Sequence, residues 1–271
     1  MFKQIQSASQ GAFLRAEAAF GILFGERNNP LHYLGALSYW LFWLVLASGL
    51  YLYAFYETGL DKTYASVEHL THAQWFLGGI LRSLHRYASD AMVLTMLLHL
   101  ARHFVFDRYR GFRAFSWITG VALLWVVYAS GINGYMLPWD RLAQFVTTAT
   151  AELFDGLPVF RGTLVRNFIL AENITDRFFS LLSFLHIGIP LAALALLWVH
   201  TQRVPRARTM PPRPIALASL ATLLALAILH PALGQGPVDT ASVAPLVGLD
   251  WFLLPAYPLI YAWGPLQTWT L

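Results

Sequence analysis

Long apolar runs separated by short polar stretches dominate the chain. A membrane-spanning helix needs about 20 predominantly apolar residues, and five runs approach or exceed that length, at residues 31–55, 80–106, 114–135, 178–200 and 215–229. We name them spans A to E. A sixth apolar stretch, residues 251–269, is interrupted by Pro255, Pro258 and Pro265, which argue against one straight helix there. The pattern predicts an all-α transmembrane bundle with a four-helix core, A to D, plus one or two further membrane segments.

The composition supports a membrane protein. Of the 271 residues, 57% are hydrophobic and 12% charged, and the mean hydropathy is +0.53, whereas a soluble domain carries roughly 25% charged residues. The chain has no cysteine, which excludes disulfides, thiolate metal sites, cysteine-held iron–sulfur clusters and thioether-linked haem. The net charge of +4 comes from arginines in the loops between spans, so it indicates membrane topology rather than nucleic-acid binding.

Flanking segments complete the predicted organisation. Residues 1–29 mix apolar and charged side chains without the pattern of a cleavable signal peptide, so we expect an amphipathic helix on the cytoplasmic surface. Residues 30–204 then hold the four-helix core. The proline-rich residues 205–214 form a cytoplasmic linker, and residues 215–271 provide an extra helix and a C-terminal segment.

Arginines orient the spans, because short cytoplasmic loops collect Lys and Arg. The B–C loop and the segment after span D each carry four of them: Arg102, Arg108, Arg110 and Arg113 in the first, Arg203, Arg206, Arg208 and Arg213 in the second. We therefore expect both segments and the N-terminus on the cytoplasmic side of a bacterial-type inner membrane. The C–D connection then lies on the opposite, positive side, and its length of about forty residues favours a functional loop with short surface helices.

Histidines inside spans B and D follow one spacing. His85 and His99 are 14 residues apart in span B, and His186 and His200 are 14 apart in span D. In a helix this separation gives about 21 Å of rise and returns to nearly the same face. Since B and D run in the same direction, two pairs form at two depths, His85 with His186 and His99 with His200. Facing neutral imidazoles suit bis-axial ligation of haem iron, although hydrogen-bonding or water-lining histidines would give similar positions.

Glycines repeat the same spacing in spans A and C. Gly35 and Gly49 are 14 residues apart, as are Gly120 and Gly134. A glycine in a span permits close approach of a backbone to another group. That group could be two flat macrocycles at the depths of the histidines, or a closely packed helix.

The same residues resemble the haem-binding half of cytochrome b of the quinol:cytochrome c oxidoreductases and their photosynthetic relatives. The stretches that carry the resemblance are Arg82-Ser83-Leu84-His85, His99-Leu100-Ala101-Arg102, Gly134-Tyr135-Met136-Leu137-Pro138-Trp139 and Phe178-Phe179-Ser180 before His186. It runs from about residue 31 to residue 200. A looser likeness to the family's quinol-site loop continues through Val243-Ala244-Pro245 and residues 249–255.

The resemblance implies two non-covalent haems b. It assigns a lower-potential haem near the positive side to His85 and His186, and a higher-potential haem near the cytoplasm to His99 and His200. Arg82 and Arg102, three residues from a ligand each, would pair with haem propionates, or else anchor the helix at the interface. Asp250 stands where the family has a glutamate that accepts a proton from quinol, unless it only caps a loop.

Some residues depart from the family pattern. Asp140 and Val146 replace family glycines and add charge or bulk near the expected quinol pocket, and residues 201–205 lack a histidine that the family places at a cytoplasmic quinone site. His103, one turn after His99, is the competing haem ligand, but its neighbours suggest the headgroup zone. Arg86 and Asp90, four residues apart in span B, are expected to pair.

Three functions follow from these residues. The first is a membrane dihaem cytochrome b subunit that carries electrons between quinone or quinol and a partner redox subunit, such as an iron–sulfur protein or a cytochrome c. The second is a quinone-linked anchor for an extrinsic dehydrogenase or reductase, with an altered quinol site. The third is a haem-free transporter or scaffold.

Overall fold

The computed structural model describes residues 2–170, 173–204, 206–240 and 246–270. Every named element of secondary structure within these residues is a helix. The α-helices are α1 (Phe2–Phe24), α2 (Leu34–Phe55), α3 (Thr63–Glu68), α4 (Ile80–Val105), α5 (Ala114–Met136), α6 (Arg141–Asp155), α7 (Asp176–Gln202), α8 (Arg213–Leu229), α9 (Tyr257–Trp263) and α10 (Pro265–Thr268). Spans A to E coincide with α2, α4, α5, α7 and α8. The all-α prediction is confirmed.

Length and apolar character mark three described helical stretches as able to cross a membrane: Pro30–Phe55, Gly111–Met136 and Asp176–Gln202. They contain spans A, C and D. Helix α4 has 26 residues but carries Arg82, Arg86, Asp90 and Arg102, and α8 is apolar with 17 residues. Spans B and E therefore remain predictions from the sequence pattern, while the protein as a whole is an integral membrane protein.

Contacts divide the chain into two compact units. Unit 1 comprises Met1–Tyr51, Ile80–Tyr128 and Pro190–Ala232, and unit 2 comprises Leu52–Gly79, Ala129–Ile189 and Leu233–Leu271. Because the apolar helices are long, α2, α5 and α7 contribute residues to both units. The segment boundaries predicted from the sequence, at residues 29, 204 and 214, are based on membrane topology rather than on contacts. They remain a prediction.

Unit 1 is built around α4, which contacts other helices on more than one side. On one side α8 packs along it, and the turn after α8 is fixed by two hydrogen bonds: Tyr87 donates to the carbonyl oxygen of His230 (2.6 Å), and the Ala232 amide donates to Ser83 Oγ (3.0 Å). On another side, α2 contacts α4 through a hydrogen bond from Ser38 to Thr95 (2.9 Å). These polar contacts hold α4 in one rotation about its axis.

Unit 2 is organised by the turn that follows α5. Trp139, only 1% exposed, has a left-handed backbone (φ 50°) and packs edge-on against Phe178 and Phe179. Asp140 then begins α6 as its N-cap. The turn predicted from Gly-Tyr-Met-Leu-Pro-Trp thus anchors the start of α7 and sets the direction of α6.

The C-terminal apolar stretch is not one straight helix, as its prolines predict. Helices α9 and α10 meet at Gly264 and pack against α6, where Thr150 and Tyr257 share a hydrogen bond of 2.7 Å and the Trp269 indole donates to the carbonyl oxygen of Leu153 (2.7 Å). Val243, Ala244 and Pro245, part of the loose family likeness, lie outside the described residues.

Candidate haem-binding site

A cavity in unit 1 brings together the two histidines predicted at the cytoplasmic depth. Its volume is about 530 Å³, and His99 of α4 and His200 of α7 both line it. Gly35 of α2 and Gly120 of α5 line the same cavity. Ligand pockets typically measure about 300–1,000 Å³. Four helices therefore supply a ligand-sized space with two imidazoles and two glycines in its wall.

Each predicted glycine lies against a different predicted histidine. A Cβ atom added to Gly35 would stand 2.8 Å from Cε1 of His99, and one on Gly120 would stand 3.4 Å from Cε1 of His200. The same relation holds for Gly49 with His85 in unit 1 (3.0 Å) and for Gly134 with His186 in unit 2 (2.9 Å). At Gly35, Gly49 and Gly134 a Cβ would crowd the imidazole, whereas at Gly120 it would make an ordinary contact. Each glycine faces one histidine, so the two 14-residue repeats are spatially matched.

Hydrogen bonds orient three of the four imidazoles through Nδ1. His85 Nδ1 lies 3.0 Å from the carbonyl oxygen of Val45, and His186 Nδ1 lies 3.2 Å from that of Ser130. A carbonyl oxygen only accepts, so Nδ1 carries the proton in both rings. The lone pair is then on Nε2, as in metal-bound histidines whose other nitrogen donates to a carbonyl.

Position along the helix explains these acceptors. Val45 is four residues before Gly49, and Ser130 is four before Gly134. In an α-helix the carbonyl of residue i bonds the amide of residue i+4, and a glycine at i+4 leaves that carbonyl open to a second donor because no side chain covers it. His200 hydrogen-bonds to the backbone of Ser116, four residues before Gly120, and to a side chain as well: Thr119 donates to the Phe115 carbonyl (2.9 Å) and accepts from His200 Nδ1 (2.9 Å).

Positive charge lies at part of the unit 1 cavity wall. Its wall includes Arg102, Arg108, Arg113, Arg203 and Arg208. Burial and the positive charges of Arg102 and Arg113 lower the pKa of the Arg108 guanidinium, which nevertheless stays charged. Trp117 also lines the cavity, and its indole N–H is buried without a hydrogen-bond partner in the described structure. The cavity thus offers donors and cations suited to a carboxylate-bearing ligand.

The donor set fits a haem better than a bare metal ion. Among the described residues, no group of three or more His, Asp or Glu side chains is placed to hold a metal. Haem iron already has four porphyrin nitrogens and needs only axial ligands. Two imidazoles, glycine clearance and arginines for propionates are together what a bis-histidine haem requires.

His103 also lines this cavity, edge-on to His99 with ring centroids 4.5 Å apart. Its electrostatic neighbours are Arg108, Arg102, Arg113 and His200. The other predicted arginine, Arg82, is half-buried one turn before His85. Arg86 and Asp90 form the expected ion pair, at 2.7 Å.

The residues expected at a quinol pocket lie in unit 2. Asp250 is half-buried, and its Oδ1 accepts a hydrogen bond from the Phe252 amide (3.2 Å). Val146 is fully buried in α6. Asp140 is also buried, and its carboxylate accepts from the amides of Ala143 and Gln235, both at 2.8 Å. Asp140 therefore joins the start of α6 to the chain beyond α8.

Sequence reasoning missed several of these contacts. The hydroxyl residues Ser48 and Thr119 directly precede Gly49 and Gly120, and both contact an imidazole Nδ1. That dipeptide pattern was visible in the sequence. Trp117 is three residues before Gly120, a full turn away, but nothing in the sequence marks its N–H as unpaired.

Comparison with protein families gives a match over most of the chain. The profile of the family described as cytochrome b/b6/petB matches residues 24–206. Similar curated proteins include cytochrome b6 of Emiliania huxleyi, 29% identical over 176 residues that cover 64% of this chain and 80% of that protein. Cytochrome b6 of Tupiella akineta is 28% identical over the same shares.

Among solved structures, a chain of a hyperthermophilic respiratory Complex III has a similar fold. The TM-score is 0.73, with 18% sequence identity, and the match covers 89% of this chain and 71% of that one. The likeness extends the resemblance in fold beyond the family profile, which ends at residue 206.

Proposed function

Because the chain belongs to the cytochrome b/b6/petB family, we propose that it is a dihaem electron-transfer subunit working between membrane quinone and a partner redox protein. Family membership implies haem b and a place in a quinol-linked electron-transfer complex of the membrane. The partner is another subunit, such as an iron–sulfur protein, a cytochrome c or an extrinsic dehydrogenase or reductase.

The observation that carries the proposal is the unit 1 cavity with His99 and His200 in its wall. A haem b held there by both histidines would supply a one-electron carrier. Residues of the cavity wall would position this haem. Gly35 leaves room for the His99 ring, Ser116 and Thr119 would orient His200 through hydrogen bonds, and Arg102 and Trp117 would hold the propionates.

The second haem is proposed on His85 and His186. In its own unit, each ring has Nδ1 bonded to a backbone carbonyl and a glycine beside Cε1. Their shared spacing from His99 and His200 supports this pairing. Arg82 would serve the propionates of this haem. We assign the lower potential to it and the higher potential to the haem on the cytoplasmic side.

Haems held at the two histidine depths, which are separated by about 21 Å of helical rise, would let an electron cross much of the membrane. Moving one charge fully across is worth about 2.3 kcal/mol per 100 mV. The arginine distribution supports a bacterial-type inner membrane with a cytoplasmic N-terminus. The direction of flow then decides whether transfer uses or opposes the membrane potential.

Quinol oxidation near Asp250 is the finer part of this proposal, with Asp250 as proton acceptor. A second candidate is a quinone-linked anchor in which that site is altered. The packing of unit 2 supports this anchor. Val146 is fully buried, and a Cβ on Gly131 would lie 2.5 Å from the Phe252 ring. The ring of Phe252, a residue two positions from Asp250, therefore fills space next to Gly131.

Reduced-minus-oxidised spectra of the purified chain test the haem proposal. We expect a b-type spectrum with two haems per chain, falling to one in His200→Ala and unchanged in His72→Ala, an exposed histidine paired with Glu68. Absence of any b-type spectrum would leave the haem-free transporter or scaffold.

Quinol-driven haem reduction separates the two electron-transfer candidates. If quinol is oxidised near Asp250, Asp250→Asn slows the reduction and changes its pH dependence, and Val146→Gly alters its rate. If neither variant changes the rate or its pH dependence, the altered-site anchor is the better description.

A further inference from the structure

The N-terminal helix α1 is fastened to the C-terminal end of α4. Gln6 donates a hydrogen bond to the Phe104 carbonyl (3.0 Å), and the rings of Phe13 and Phe106 meet edge-on at 6.5 Å. Asn29, fully buried, donates to the Glu17 carbonyl (2.8 Å). These contacts fix the helix in register, so Glu17 faces α4.

Glu17 forms an ion pair with the arginine next to the proposed haem. Arg102 Nε donates to Glu17 Oε1 at 2.7 Å, and the side chains are only 19% and 12% exposed, respectively. Glu17 Oε2 lies 3.8 Å from Nε2 of His32. Arg102 and His32 both line the His99/His200 cavity. The Glu17 carboxylate on α1 therefore contacts two residues of the cavity wall.

The cavity wall is positively charged, so the negative charge of Glu17 changes its charge balance. Five arginines line the cavity, and its described lining residues include no Asp or Glu. A bis-histidine haem brings two propionates. Glu17 adds a negative charge that is partly shielded from water, where electrostatic interactions are less screened than at a surface.

We propose that Glu17 is a positioning and charge-compensating residue that holds Arg102 through Nε and lowers the midpoint potential of the haem on His99 and His200. The inference rests on the proposed function. An anion near the iron disfavours the extra electron of the reduced haem, and neutralising Arg102 removes part of the positive field that favours it. Both effects have the same sign. Arg102 keeps its terminal nitrogens for the cavity while Glu17 binds Nε.

A redox titration of the purified holoprotein tests the proposal through the two haem components of the spectrum. In Glu17→Gln we expect one component to move to higher potential, so that its reduced-to-oxidised ratio at a fixed ambient potential rises by threefold to tenfold. A tenfold change corresponds to about 59 mV for one electron. The other component stays in place, and Glu17→Asp, which keeps the charge, restores most of the wild-type value.

Two controls separate charge from docking. Gln6→Ala removes a hydrogen bond between α1 and α4 without changing charge, and Glu26→Gln removes an exposed carboxylate near the end of α1. Neither should shift the potential. An unchanged potential in Glu17→Gln with both haems bound overturns the inference, as does an equal shift in Gln6→Ala. Absence of haem in the wild-type chain overturns the proposed function instead.

Discussion

The Nδ1 atom of His200 lies 2.9 Å from the hydroxyl oxygen of Thr119, the residue directly before Gly120. One dipeptide of α5 thus places a hydrogen-bond acceptor at Nδ1 of the imidazole and a glycine beside Cε1. Ser48-Gly49 in α2 repeats the arrangement at His85, with Ser48 Oγ 3.2 Å from Nδ1. In both places a hydroxyl contacts Nδ1 of the imidazole and the next residue, a glycine, lies beside the ring.

Replacing Thr119 with valine keeps the volume and removes this acceptor. Groups that orient a metal-bound histidine are typically worth 10–100-fold in metal affinity. We expect Thr119→Val to weaken binding of the haem on His99 and His200 by about tenfold or more, measured by haem transfer to an apo-acceptor. Thr95→Val is the matched control, because Thr95 is a buried threonine that contacts Ser38 and no histidine. Equal haem loss in both variants would contradict the role given to Thr119.

Adding one methyl group to Gly35 should disturb a single haem. The new Cβ would lie 2.8 Å from His99 Cε1, so the ring must move, and over-packing of this kind costs about 1–3 kcal/mol. We expect Gly35→Ala to lower the haem content from two per chain toward one, as measured by the pyridine haemochrome assay.

Gly188 provides the control for Gly35. It lies within α7, and a Cβ added there meets no atom within 4 Å. Gly188→Ala should therefore keep both haems and favour the helix by about 0.5–1 kcal/mol. Full haem content in Gly35→Ala would show that the imidazole has room to shift.

Periodicity predicted the helices well because it acts within one element. The apolar runs and the proline at residue 30 set the ends of α2, α4, α5, α7 and α8 close to where the structure has them. The spacing of 14 placed His99 and His200 at one depth, and both line one cavity. These relations depend only on helical rise and rotation.

Contacts between distant segments were not predictable in the same way. Asp140 is expected to place charge near a quinol pocket, but no sequence pattern showed that its carboxylate binds the amide of Gln235, 95 residues away. Glu17 reaches Arg102 across 85 residues. No local pattern encodes such pairs, because they depend on how separate helices pack. The Thr119-Gly120 dipeptide is visible in the sequence, but only the structure shows that it contacts His200.

Asp140 should matter for stability rather than for haem binding. Alanine there removes the N-cap of α6 and leaves two amides without their acceptor, a loss of about 2 kcal/mol or more. We expect Asp140→Ala to lower the thermal unfolding temperature by several degrees and to expose residues 233–240 to proteolysis, with both haems retained. Asp61→Ala, at an exposed carboxylate, should change stability by less than about 0.5 kcal/mol. Haem loss in Asp140→Ala without a change in stability would contradict this assignment.

Trp117 provides a final prediction that is opposite in sign to that for Glu17. Its buried indole N–H has no partner in the described structure and lines the cavity of His99 and His200, so a haem propionate is the acceptor that would satisfy it. Trp117→Phe removes the donor while keeping an aromatic ring. The propionate charge is then less compensated, which disfavours the reduced haem. We expect one component of the redox titration to move to lower potential.

Trp125 is the matched control for this variant, because it lies on the same helix and its side chain is largely exposed. Trp125→Phe should leave both potentials unchanged. A downward shift in Trp117→Phe together with an upward shift in Glu17→Gln would place both residues at the same haem, on opposite sides of its charge balance. If Trp117→Phe leaves the titration unaltered, the indole N–H does not reach a propionate, and the assignment of the cavity's polar wall must be revised.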